Sequence, residues 1–263
     1  MILPSLTQAA LGIASGSLVG FSLGLVGGGG SILAVPLLIY VVGVGDPHVA
    51  IGTSAIAVAA SALANLWHHA RAGHVKWKCA LVFAAAGVVG AFFGSTIGKW
   101  INGQRLLIAF AILMLVVAAL MLRKRSATGK HDVVLNRANL PWLLGVGIGA
   151  GALSGFFGIG GGFLIVPGLM LATGMPIINA VGSSLVGVTA FGVTTAANYA
   201  VSGLVDWTLA ASFVIGGAIG GLIGATAARS VAKRSGGLHI IFAILIVIVA
   251  IYMLIRTLGT GAA

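Results

Sequence analysis

Two glycine clusters carry most of the chemistry this chain can offer. The first reads Gly24-Leu-Val-Gly-Gly-Gly-Gly-Ser-Ile-Leu-Ala-Val-Pro36, and the second, 131 residues later, reads Gly155-Phe-Phe-Gly-Ile-Gly-Gly-Gly-Phe-Leu-Ile-Val-Pro167. Both sit inside strongly apolar stretches. Glycine lets a ligand approach the backbone closely. In a membrane helix a glycine break also frees N–H and C=O groups, which are tolerated only where protein or a water-filled cavity covers them. Paired breaks in two halves of one chain point to a transporter's binding site. A hydroxyl pair follows each cluster, Thr53-Ser54 after the first and Ser183-Ser184 after the second. With Ser31 these residues add O–H donors. The candidate substrate-binding set is therefore Gly27, Gly28, Gly29, Gly30, Ser31, Thr53, Ser54, Gly160, Gly161, Gly162, Ser183 and Ser184. The competing reading of the hydroxyls is that they bond back to their own helix. Gly87, Gly90 and Gly94 fit a packing role, because small residues let membrane helices approach.

The ionisable residues narrow the ligand. The acids are Asp46, Asp132 and Asp206, and Glu is absent. All three acids fall in expected loops or interfaces, whereas a cation pathway usually keeps an intramembrane carboxylate. Lys and Arg are also missing from the interiors of the expected spans, so uncharged donors must hold an anion. Helix N-termini supply such donors together with a positive dipole end. The pieces starting near Ser31 and Gly162 are expected to provide two of them. Asn65, Asn179 and Asn198 are costly in lipid and should face protein, as interhelical bonds or as site lining.

Enzyme chemistry is poorly served. A serine hydrolase needs a histidine base at membrane depth, but His68, His69, His74 and His239 fall at span ends. His68, His69 and His74 share the first basic loop with Arg71 and Lys76, where cations repel a metal ion. No metal site, no catalytic residue and no cofactor is expected. There is no Gly-x4-Gly-Lys-Ser/Thr run for ATP. Cys79 is alone, which excludes an internal disulfide. An anion channel would use the same donors and remains the alternative to a carrier, with an intramembrane enzyme as the more distant one. If a proton is the coupling ion, a histidine is the side chain suited to carry it.

The elements that must position these residues follow from composition. The 263 residues are 59% hydrophobic and 6% charged, with mean hydropathy +1.17. A soluble domain of this composition would have an apolar, aggregating surface, so the bilayer is the natural solvent. The net charge of +11 is scattered between apolar spans, as topology signals are, and does not indicate nucleic acid. Apolar pieces are expected at about 6–26 and 31–44 around the first glycine run, then spans at 48–70, 77–98 and 105–122. The same plan returns at 141–157, 161–174, 178–200, 207–228 and 237–255. Residue matches support a duplication, including Ser54/Ser184, Gly73/Gly203, Trp77/Trp207, Gly90/Gly220 and Thr96/Thr226. The expected fold is an all-α polytopic membrane protein forming one membrane domain over 1–263. Repeat one covers 6–122, a cytoplasmic linker 123–139, and repeat two 140–256. Each repeat is a glycine-broken helical hairpin followed by three transmembrane helices.

Placing the basic linker in the cytoplasm sets the rest. If each glycine-broken piece returns to its starting side, 11 of the 14 Lys and Arg residues lie inside and three outside. If it crosses once, the division is nine to five. The positive-inside rule favours the first count. It gives halves of opposite orientation, an inverted repeat with both termini outside. The alternative is two parallel halves of four spans.

The motifs Gly-Gly-Gly-Gly-Ser31-x-x-x-Val-Pro36 and Gly158-x-Gly-Gly-Gly-x-x-x-Val-Pro167, with Gly52-Thr-Ser54 and Gly182-Ser-Ser184, resemble those of the TauE/SafE family of sulfite exporters and related permeases. The resemblance runs from about residue 8 to 256. It implies a multi-pass protein of a prokaryotic inner membrane that moves a small sulfur-containing anion, such as sulfite, thiosulfate or an organosulfonate.

Overall fold

The computed structural model describes residues 6–123, 139–160, 162–231 and 237–260. The linker residues 124–138, Gly161, Lys233 and Arg234 lie outside the described residues. Within them the chain is all helical. The first half holds α1 (Leu6–Val26), a 3-10 segment (Gly27–Leu33), α2 (Ala34–Tyr40), α3 (Pro47–Arg71), α4 (Trp77–Trp100) and α5 (Gly103–Arg123). The second half holds α6 (Leu140–Phe157), α7 (Gly162–Thr173), α8 (Ile177–Val201), α9 (Trp207–Val231) and α10 (Gly237–Thr260). Seven of these helices are long and apolar enough to cross a membrane.

Helix is the form an apolar run must take in lipid, because it satisfies every backbone group within the segment. Two of the three acids mark helix starts. Asp46 accepts the His48 N–H at 2.8 Å with Pro47 at the first helical position, and Asp206 accepts the N–H groups of Thr208 and Leu209, both at 3.0 Å. A carboxylate at an N-cap satisfies free amides and complements the dipole. The outward faces carry Phe92, Phe93, Ile97, Ile148, Ile215, Leu222 and Ile251, all exposed. Trp67, Trp77, Trp100, Trp142 and Trp207 are exposed at helix ends, where aromatic belts form.

The packing exchanges elements between the halves. Helix α1 lies along α9, and α6, which occupies the place of α1 in the second half, lies along α4. Both contacts are parallel. Gly16 meets Phe213, Gly20 meets Gly217 and Gly224 meets Phe21; likewise Gly87 meets Gly151 and Gly98 meets Phe156. The expected packing role of Gly87, Gly90 and Gly94 is what is found, since each faces backbone of α6 or the Phe191 ring.

Helices α3 and α8 also correspond, and they run antiparallel. The loop after α3 reaches the start of α8, where Asn179 donates to the His74 carbonyl at 3.1 Å. The loop after α8 reaches the start of α3, where a Cβ on Gly52 would meet the Leu204 carbonyl. Helices α5 and α10 pair as well, with the Gln104 amide donating to the Thr257 carbonyl at 2.8 Å.

The short piece expected at about 31–44 is observed as an apolar helical stretch over Gly30–Tyr40. It is wound as 3-10 helix over Gly27–Leu33 and as α-helix over Ala34–Tyr40. A Cβ on Gly30 would strike Ser22 and Leu23, so the chain turns back on α1 at the glycine run.

Candidate functional site

The two glycine segments come together inside the bundle, the 3-10 segment packing on α7 and α8. Their local structures are unlike. The first run is a 3-10 segment, Gly27–Leu33, that folds back on α1 at Gly30, and Ser31 is fully buried in it. In the second half α6 ends at Gly158, whose φ of +69° is left-handed, and Gly160 follows at +66°. Such dihedrals are routine for glycine and costly for other residues. The turn is a true break, and α7 begins after it at Gly162, which is buried. Gly161 lies outside the described residues.

The hydroxyl pairs divide by role. The Thr53 hydroxyl accepts the Asp206 N–H at 3.0 Å, and the Ser183 hydroxyl accepts the Lys76 N–H at 2.9 Å. These bonds correspond across the halves, and they lie at opposite ends of the antiparallel α3/α8 pair. Each ties a loop of one half to a helix of the other. Ser54 donates to the Ile51 carbonyl at 2.9 Å and also lies 3.4 Å from the Gly158 carbonyl. Ser184 donates to the Val181 carbonyl at 2.8 Å. Ser54 is thus the member of the four that touches a glycine break.

The asparagines resolve separately. Asn198 joins helices: its amide donates to Ser95 at 2.6 Å and Thr96 at 2.9 Å. Asn65 donates to Ser61 O on its own helix at 2.9 Å. His69 and His74 stand 5.7 Å apart, ring centre to ring centre, and are half-buried rather than solvated. Cys79 is buried.

Sequence reasoning missed several polar residues. Lys99, one of the three basic residues expected on the outer side, bonds from the end of α4 to the end of α8. Its ammonium donates to the Asn198 carbonyl at 3.1 Å, to Asn198 Oδ1 at 2.8 Å and to Ser202 Oγ at 2.8 Å. Ser154, Thr195 and Tyr199 are buried in the helices around the second break, and their hydroxyls have no hydrogen-bond partner. The available signal was a serine one helical turn before Gly158, and a Thr and Tyr one turn apart on α8.

Comparison with known proteins agrees with this architecture. Residues 12–253 match the family described as Sulfite exporter TauE/SafE. A Probable membrane transporter protein of Xylella fastidiosa (strain 9a5c) is 54% identical over 93% of this chain and 94% of its own. The Probable membrane transporter protein YdhB of Bacillus subtilis is 30% identical over 79% of this chain and 85% of its own. A Probable membrane transporter protein of Haemophilus influenzae is 30% identical over 72% of each chain. These names are of transporters and not of enzymes. An all-helical bundle with apolar spans, its glycine segments packed together at the core, is thus a multi-pass membrane transporter that belongs to the TauE/SafE sulfite exporter family.

Proposed function

We propose that the protein is a secondary carrier that moves a small sulfur-containing anion of the sulfite, thiosulfate or organosulfonate class across the cytoplasmic membrane. The observation that carries this reading is the meeting of the two glycine segments between halves whose corresponding helices α3 and α8 run antiparallel. Two oppositely directed repeats around one site suit alternating access, in which one bundle rocks against the other. The family description supplies the sulfur anion. The candidate contacts are Gly27 to Gly30, Ser31, Ser54 and Gly160 to Gly162; Thr53 and the pair Ser183-Ser184 lie at opposite ends of α3/α8, where Thr53 and Ser183 hold loops, and they cannot all touch one small anion. Repeats 6–122 and 140–256 form one membrane domain as an inverted pair, with the linker in the cytoplasm and both termini outside. The bias of basic residues supports that orientation.

The test is a flux panel on purified protein in liposomes, comparing sulfite, thiosulfate, sulfate, taurine, sulfoacetate and chloride. The expected result is saturable movement of a sulfur anion that accelerates when the same anion is present on the far side. Non-saturating flux without that exchange would assign a channel instead.

A further inference from the structure

Most hydroxyls in the spans are engaged with their own helix. Ser22, Ser95, Thr189 and Thr194 each donate to a carbonyl three or four residues earlier. Ser154, Thr195 and Tyr199 do not. Among the described residues theirs are the buried hydroxyls without a partner, and each residue is 0% exposed. A buried donor left unpaired is costly, so three in one region call for an occupant.

Their positions converge on the second glycine break. Ser154 lies one turn before Gly158, and its carbonyl accepts the Gly158 N–H at 2.8 Å. On α8, Gly192 faces Ala55 and Ala59 of α3, while Tyr199 faces Gly52. Thr195 lies between them and is therefore level with Ser54, whose hydroxyl is 3.4 Å from the Gly158 carbonyl. The Tyr199 hydroxyl reaches the α4/α6 seam, 3.4 Å from where a Cβ on Gly98 would stand. The Lys99 ammonium is 6.0 Å from the Tyr199 ring centre and bonds uncharged oxygens alone. The corresponding residues of the first half are Leu23, Asn65 and His69. Leu23 is apolar, Asn65 is bonded to its own helix, and of the three only His69 has an unpartnered buried atom, Nδ1, so the first half has one such group where the second has three hydroxyls.

We infer that Ser154, Thr195 and Tyr199 form an oxyanion pocket beside the left-handed turn Gly158–Gly160. Their three O–H groups donate to the anion, and Lys99 adds positive potential at the α4/α8 end. The inference rests on the carrier reading and makes its site one-sided: the second break binds, and the first, folded back on α1 and packed on α7 and α8, supports it. Oxygen acceptors on a small anion match a set of donors with no acceptor of their own, and uncharged donors avoid burying unpaired cations.

The experiment titrates sulfite, thiosulfate and sulfate into detergent-purified full-length protein while recording thermal melting, and measures exchange in liposomes. It compares wild type with Ser154→Ala, Thr195→Val and Tyr199→Phe. Thr194→Val, whose hydroxyl is spent on Ala190 O, serves as the control. The pocket predicts that each of the three variants melts at or above the wild-type temperature without anion, because an unpaired buried hydroxyl has gone. Each should bind the anion about tenfold more weakly, the worth of a hydrogen bond to a charged group, with Thr194→Val unchanged. Wild-type anion affinity in the three variants, while wild type exchanges anion normally, overturns the pocket and leaves the carrier standing. If the wild type neither binds nor exchanges any of these anions, the carrier reading falls and the pocket with it.

Discussion

Lys99 shows how a charge is accommodated at the edge of an apolar bundle without a carboxylate. The last carbonyls of α8 have no partner within their own helix, and the negative end of its dipole lies there. Lys99 meets both needs through the Asn198 carbonyl, while Asn198 Oδ1 and Ser202 Oγ take its remaining protons. We expect Lys99→Met to cost about 1–3 kcal/mol, read as a lower melting temperature in detergent, because it strands three acceptors. At this scale the sequence was only partly legible. An interhelical Asn198 was readable from the price of an amide in lipid. The serines and threonines were not, because one hydroxyl can bond back to its helix or reach across, and rotamer and neighbours decide which. Thr53 and Ser183 reach across, while Ser54 and Ser184 turn back. Ser154 was hidden because a lone serine among glycines and alanines reads as one more small packing residue.

At the scale of elements, the helices were legible because lipid leaves an apolar chain little alternative, and expected boundaries agree with observed ones within a few residues at most ends. The first glycine run was legible as a break but not as a 3-10 segment. Four consecutive glycines weaken a helix locally, yet packing against α1 and α7 holds the segment in a 3-10 path, and tertiary contact of that kind has no local signature. Glycine positions also differ in what they tolerate. A Cβ at Gly94 would run into the Ala152 backbone, whereas nothing lies within 4 Å of one at Gly145, on an exposed stretch of α6. Gly94→Leu should therefore abolish monodisperse protein in size-exclusion chromatography, and Gly145→Leu should give a wild-type profile. Gly160→Ala should destabilise by about 1–2 kcal/mol through its left-handed backbone, measured by thermal melting, with Val58 and Val188 close around the added methyl.

For the molecule as a whole, matched glycines and tryptophans suggest a duplication, and the antiparallel run of α3 and α8 supports the inverted reading proposed above. The exchange of partners between halves was not readable, since nothing in either half names the helix it will lie against. Topology can be checked directly. In a Cys79→Ala background, a cysteine placed at Ala127 should react with an impermeant thiol reagent only from the cytoplasmic side, and one at Gly261 only from outside. Labelling of both from one side would remove the inverted arrangement. The interlocking also predicts that fragments 1–130 and 131–263 are each degraded when expressed alone and are recovered as a complex when expressed together, read by co-purification through a tag on one fragment.

The paired clamps, Thr53 holding the loop before α9 and Ser183 holding the loop before α4, have a bearing on ancestry. Each half contributes one helix and one loop to a bond that the other half mirrors. Under the inverted-repeat reading proposed above, a single ancestral half would find the same bonds only in a second copy of itself inserted upside down. That reading implies a dual-topology homodimer as forerunner, one gene product entering the membrane both ways. Doubling and fusion of the gene would then free each copy to acquire the basic residues that fix its direction. The two glycine segments, a 3-10 segment in one half and a left-handed turn in the other, are a difference that two identical subunits could not hold.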